Sequence, residues 1–159
     1  MRRWLQPIAY WAVVSVVLNY TWEMAQVPFF SSMASAPLRE HALRCLGSAA
    51  GDVLLGGFAY FLASLTARSF SWPGSARWVL PTSAWILFGL AVTVVIERVA
   101  VANGRWTYGE AMPTIFGVGL LPLFQWLVVP LITLAIWRAL ISRCSRTDCT
   151  RSQPVGTVR

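Results

Sequence analysis

Three of the six acidic residues in this 159-residue chain interrupt long apolar runs: Glu23, Asp52 and Glu97. A charged group at the centre of a bilayer helix costs roughly 2.5–3.5 kcal/mol on insertion scales, so each needs a polar partner or a task. Glu23 stands with Ser15, Asn19 and Gln26 at offsets of four, four and three, which places them on one helical face. Asp52 lies in Gly47-Ser48-Ala49-Ala50-Gly51-Asp52, where the Gly47-x3-Gly51 spacing permits close backbone approach by a neighbouring helix. Thr93 and Glu97 are four apart, with Arg98 following, and Gln125 lies between Pro122 and Pro130. Carboxyls in unlike surroundings can hold different protonation states, the requirement for general acid–base work. Asp52, Glu23 and Glu97 are therefore the candidate catalytic groups. Plainer readings stand beside this. Asn19 and Gln26 serve equally as interhelical glue, and Glu97 is expected to pair with Arg98 or Arg105.

Other chemistries are less supported. His41 beside Arg39 and Glu40 reads as a solvated loop histidine, and no H-x-x-x-H or H-E-x-x-H spacing supports a metal. Cys45 is alone at a helix entrance, and Cys144 and Cys149 are a C-x4-C pair without the partners that zinc needs. No phosphate loop, G-x-S-x-G or dinucleotide fingerprint is present, and the cofactor is unknown from the sequence. The stretch from Asn103 to Pro113 concentrates Arg105, Trp106, Tyr108 and Glu110, which suits either an interfacial anchor or a lid over a cavity. Pro122 and Pro130 predict an irregular fourth helix, with Gln125 answering the freed carbonyls. Asn19, Gln26, Arg105, Trp106, Tyr108 and Gln125 are the candidate substrate-binding residues.

The elements that must position these groups are membrane helices. The chain is 57% hydrophobic and 12% charged, with a mean hydropathy of +0.59, too little polar surface for a soluble globule. Four runs reach the roughly 20 residues that a bilayer requires: about 7–29, 45–67, 78–101 and 113–140. They are continuous rather than alternating, which excludes strands. The fold class expected is all-α, an integral membrane bundle of four transmembrane helices in one domain over 1–141. Residues 142–159 form a polar basic tail, expected to be disordered. The Met1-Arg2-Arg3 start and Ala34-Ser35-Ala36 imitate a signal peptide. The length of the apolar run, Glu23, Gln26 and Pro37 argue instead for a retained helix.

All thirteen basic residues are arginines. They cluster at the ends of apolar runs, where lipid headgroups explain them better than nucleic acid does. With the N-terminus inside, nine lie on the inner side and four on the outer, so both termini are expected in the cytoplasm. The tryptophans give the same orientation: Trp4, Trp72, Trp78 and Trp137 fall at the inner interface, Trp22 and Trp106 at the outer. Glu23, Asp52 and Glu97 then all fall in the outer half of the bilayer.

The combination of Asn19-x2-Trp22-Glu23-x2-Gln26, Gly51-Asp52, Glu97, Gly104-x-Trp106-x-Tyr108 and Leu121-Pro122-x2-Gln125-Trp126 resembles small polytopic membrane proteins of bacteria. That likeness spans most of the chain and implies a multi-pass location in the bacterial inner membrane, without an activity. Ser48-x2-Gly51-Asp52-x-Leu54 is similar to a stretch of lysoplasmalogenase-type hydrolases. The run from Glu97 through Trp106 and Tyr108 to Leu121-Pro122 resembles membrane carotenoid cyclases and hydratases, which have a carboxylate where this chain has Phe124-Gln125. Three function classes follow. The first is a lipid- or isoprenoid-modifying enzyme working through a carboxylate-lined pocket, with membrane lipids or a hydrophobic isoprenoid as its partners. The second is an accessory subunit bound to a partner membrane protein. The third is a small ion or solute transporter, disfavoured by the missing polar path to the inner side and the absence of an inverted repeat.

Overall fold

The computed structural model describes residues 2–33 and 36–151, and side chains over 11–33 and 36–140. Four helices dominate: α1 (Arg2–Gln26), α2 (Leu38–Ala67), α3 (Val79–Ala102) and α4 (Leu120–Arg151). Short 3-10 turns at Val27–Phe29, Ser31–Met33 and Trp72–Gly74 punctuate the connectors. A two-stranded antiparallel hairpin, β1 (Thr114–Ile115) and β2 (Val118–Gly119), pairs Thr114 with Gly119 and Ile115 with Val118. The helices pack in a ring, each against its sequence neighbours, with α4 closing on α1. The fold is all-α, and α2, α3 and the Leu120–Leu140 part of α4 are long and apolar enough to cross a membrane.

The bundle is apolar outside and polar within. Val13, Leu54, Leu87 and Val95 are exposed, whereas Ser15, Asn19, Thr93, Glu97, Gln125 and Thr133 are buried. Water would reverse that distribution; a lipid solvent accounts for it, since hydrocarbon cannot satisfy polar groups. At the end of the bundle that carries the α2–α3 connector, Ala59 and Ala63 make room for Trp72 and Trp85, with Leu134 beside them. Trp72 and Trp85 meet edge to face at 6.1 Å. Their ring N–H groups are satisfied: Trp72 donates to Ser64 Oγ at 3.2 Å and Trp85 to the Gly56 carbonyl at 3.0 Å. Trp72 is thus a core residue at 1% exposure rather than an interfacial anchor. Ser64, one turn beyond Tyr60, draws it inward. Trp78 does lie under a charge, with the Arg138 guanidinium 4.9 Å from its ring centre.

Several boundaries differ from the hydropathy expectation. α2 begins at Leu38, not near 45, because Pro37 sets an extended entry and nothing from Leu38 to Arg44 breaks a helix; Arg44 and Glu40 pair along it at 2.6 Å. α4 begins at Leu120, not 113, because Phe116 and Gly117 both take positive φ (49° and 76°) and turn the chain into the hairpin. At its far end α4 continues to Arg151, so much of the expected tail carries helical backbone. Residues 152–159, Ala34 and Ser35 lie outside the described residues, as do the side chains of Trp4, Cys144 and Cys149. Among the described residues no helix packs on the Gly47-x3-Gly51 pair: a Cβ at either position would meet nothing within 4 Å. Close approach occurs at Gly89, where a Cβ would lie 1.9 Å from the Trp126 ring.

Candidate functional site

Each helix delivers at least one polar side chain to the interior at the end opposite the Trp72–Trp85 cluster. On α1, Asn19 Nδ2 donates to the Ser15 carbonyl at 2.8 Å, which turns its Oδ1 toward α4. Gln125 Nε2 donates there at 2.9 Å and also to Asp52 Oδ2 on α2 at 2.7 Å. Gln125 therefore ties three helices together, rather than capping carbonyls freed by Pro122. One turn up α1, Gln26 Nε2 donates to Glu23 Oε1 at 2.9 Å. The Glu23 and Asp52 side chains lie close enough to interact directly.

A cavity of about 470 Å³ lies on this end of the bundle, within the range that accommodates a small-molecule ligand. Glu23, Gln26, Asp52, Glu97 and Gln125 all line it, as do Arg105 and Trp106 from the α3–α4 connector. Asn19 does not. It borders a separate void of about 20 Å³ lined also by Trp11, Ser15, Trp85 and Thr133, room for about one water. Asn19 thus supports Gln125 from behind, consistent with the glue reading.

Glu97 pairs with neither arginine. Arg98 donates to the Phe116 carbonyl at 2.9 Å, and the Arg44–Glu40 pair is the ion pair found among the described residues. The donors to Glu97 Oε2 are Trp106 Nε1 at 3.3 Å and the Tyr108 hydroxyl. The Tyr108 oxygen in turn accepts from the Gly119 N–H at 3.0 Å. Burial, together with the Glu97 carboxylate, pushes the Tyr108 phenol up to about 12. The reason for the Glu97 arrangement is topological: the hairpin draws Arg98 outward while the connector folds its aromatics inward.

That connector is a roof. Gly109 N–H donates to the Phe29 carbonyl at 2.8 Å, Ser31 N–H to the Thr107 carbonyl at 3.0 Å, and Phe30 bridges Tyr108. Phe30 also meets Trp106 edge to face at 6.5 Å. A Cβ on Gly109 would sit 3.3 Å from the Phe29 carbonyl oxygen, so the absence of a side chain permits this lacing. Both the anchor and the lid expectations placed these aromatics near the interface; their hydrogen bonds point them at Glu97. His41 lies on the first turn of α2 rather than in a loop, with Nε2 donating to the Met33 carbonyl at 2.7 Å, away from the cavity. Among the described residues, no three His, Cys, Asp or Glu side chains are grouped to hold a metal ion.

Sequence reasoning missed Arg44, Cys45 and Ser48 on the cavity wall. The signal was present: Arg44, Ser48, Gly51, Asp52 and Leu55 recur at helical spacing along one face. It was hidden by starting the helix at the apolar boundary near 45. Compared with known proteins, the chain matches no protein-family model, no curated protein and no solved structure, which leaves the site to be interpreted from its own geometry.

Proposed function

We propose that this chain is a four-span membrane protein of the cytoplasmic membrane, with both termini on the inner side, that performs acid–base chemistry on a lipid or isoprenoid. Asp52 is the principal proton-transfer group and Glu23 its tuning partner. One observation carries this reading: carboxyl side chains from three helices meet at one cavity under a hydrogen-bonded roof. α1, at 25 residues, is about 37 Å long at 1.5 Å per residue, enough for a fourth span. The two central acids have different partners, since Gln125 donates to Asp52 and Gln26 to Glu23. Such a pair can separate the roles of acid and base. Transport is less well supported, because beneath Asp52 the described residues enclose a void of about 20 Å³ and then close on the Trp85–Trp72 cluster.

The test is a comparison of total lipid and pigment extracts from cells lacking the protein and cells complemented with wild type or Asp52→Asn. A species that changes on deletion, and returns with wild type only, supports the reading. An unchanged profile overturns it and returns attention to an accessory role.

A further inference from the structure

We propose that the cavity receives the phosphoethanolamine head of a lipid, its phosphate on Arg44 and Arg105 and its ammonium among Glu23, Asp52 and Gln26. This rests on the reading of the cavity as the reactive site, and it specifies the class of lipid. The cavity wall is divided by charge. Arg44 lies two turns above Asp52 on α2, and Arg105 follows the end of α3, so both cations border the mouth. The Arg105 guanidinium makes no hydrogen bond or ion pair among the described residues; its backbone N–H alone is engaged, donating to the Ala100 carbonyl at 2.9 Å. Arg44 gives one N–H to Glu40 and retains further donors. Below them the charged groups of the wall are all acids: Glu23, Asp52 and Glu97. A dipolar ligand with its anion outward and its cation inward matches that division, and a simple anion does not.

A second observation comes from Gln26. Its side chain is 7% exposed and lines the cavity, and its Oε1 is buried with no hydrogen-bond partner. Its Nε2 is already committed to Glu23. A buried acceptor left unmet costs about 1–3 kcal/mol, so a ligand that brings an N–H there is favoured over one that cannot. A primary ammonium brings three donors; a quaternary choline brings none. Eight residues separate Arg44 from Asp52, about 12 Å of helix; the Arg44 side chain reaches up to Glu40, so a bound phosphate must draw its guanidinium down for the ethanolamine bridge to span the rest.

The lipid's remaining bulk has an exit. Ser48 and Gly51 belong to the cavity wall yet are exposed, and the space beside Gly47 and Gly51 is empty. This stretch of α2 forms a low sill through which a glycerol backbone and acyl chains pass to the bilayer.

The experiment measures binding by the full chain in neutral detergent micelles, followed by lipid-dependent thermal stabilisation. The probes are phosphatidylethanolamine, its N-methyl, N,N-dimethyl and choline forms, and phosphatidylglycerol. Binding is expected to weaken as each N–H is replaced, reaching about tenfold at choline, the loss of a hydrogen bond to a charged donor. Gln26→Leu should flatten that gradient to the share owed to the Glu23 and Asp52 carboxylates, whereas Gln26→Glu, which keeps an acceptor, should retain it. Arg44→Ala with Arg105→Ala should weaken every phosphate lipid together. Soluble glycerophosphoethanolamine should bind more weakly than the whole lipid, which separates a lipid site from a site for the free head. Equal binding of the ethanolamine and choline lipids by wild type overturns the inference whether or not the variants fold, as does tightest binding of phosphatidylglycerol. The reading as an enzyme fails separately, if lipid extracts are insensitive to Asp52→Asn while headgroup selection persists.

Discussion

Gly89→Ala tests the packing that shapes the cavity. A Cβ at this position would lie 1.9 Å from Trp126 Cε3, 2.4 Å from Cζ3 and 2.5 Å from Cδ2. Carbon atoms rest at about 3.5–4.0 Å, so the ring must retreat by roughly 1.5 Å. It has little room, since Trp126 is 7% exposed and its far edge lies 4.0 Å from where a Gly56 Cβ would be. Overpacking of this kind costs about 1–3 kcal/mol. Alanine's helical advantage of about 1 kcal/mol largely cancels in a bilayer, where the unfolded reference keeps its helices. The expected net loss is about 1–3 kcal/mol, read as a lower midpoint when the protein is unfolded in mixed micelles and followed by tryptophan fluorescence, which senses the loss of packing rather than of helix. Trp126→Leu should remove the clash, so that adding Gly89→Ala to it costs little. The double-mutant cycle should then show a coupling of at least about 1 kcal/mol. A Gly89→Ala protein with the wild-type midpoint, or costs that simply add, would refute the close α3–α4 approach and the placement of Trp126 in the cavity wall.

Gln125→Leu leaves the Asp52 and Asn19 acceptors without their shared donor. Membrane hydrogen bonds average about 0.6 kcal/mol, so a loss of about 1–2 kcal/mol is expected in the same unfolding assay. A wild-type midpoint would contradict the three-helix tie. Phe116 is 87% exposed at φ 49°, a backbone region costing an ordinary residue about 1–2 kcal/mol. Phe116→Asn creates the Asn-Gly pair suited to this turn, so thermal melting should occur at higher temperature. Tyr108 is held neutral in the fold up to about 12 against an ordinary value of 10.0. Its contribution is complete below pH 10 and is lost as pH rises toward 12, because the unfolded phenol ionises first. Alkaline unfolding should show a smaller loss over that range in Tyr108→Phe than in wild type.

Much of the architecture was legible because the bilayer imposes a coarse rule on composition. Runs of about 20 apolar residues announce helices, and the offsets linking Ser15, Asn19, Glu23 and Gln26 announce a polar face without knowledge of its partner. The gathering of Glu23, Asp52 and Glu97 at one end also follows from counting along an up-and-down chain. Local features that hydropathy ignores were misplaced for the same reason. The first turns of α2 are polar yet helical, and the stretch before α4 is apolar yet bends through Phe116 and Gly117.

What tertiary structure decided is which groups meet. Arg98 follows Glu97 in sequence, but its side chain goes to Phe116, and the donors to Glu97 come from Trp106 and Tyr108 across a connector. Glycine spacing pointed to Gly47 and Gly51, while the helix that needs a glycine is α3 at Gly89, because there a tryptophan from another helix comes too close for a Cβ, at 1.9 Å. Periodicity assigns a residue to a face from the chain alone. The neighbour that covers that face is selected by the closing of the ring and the folding of its loops, and those depend on contacts between residues far apart in the chain.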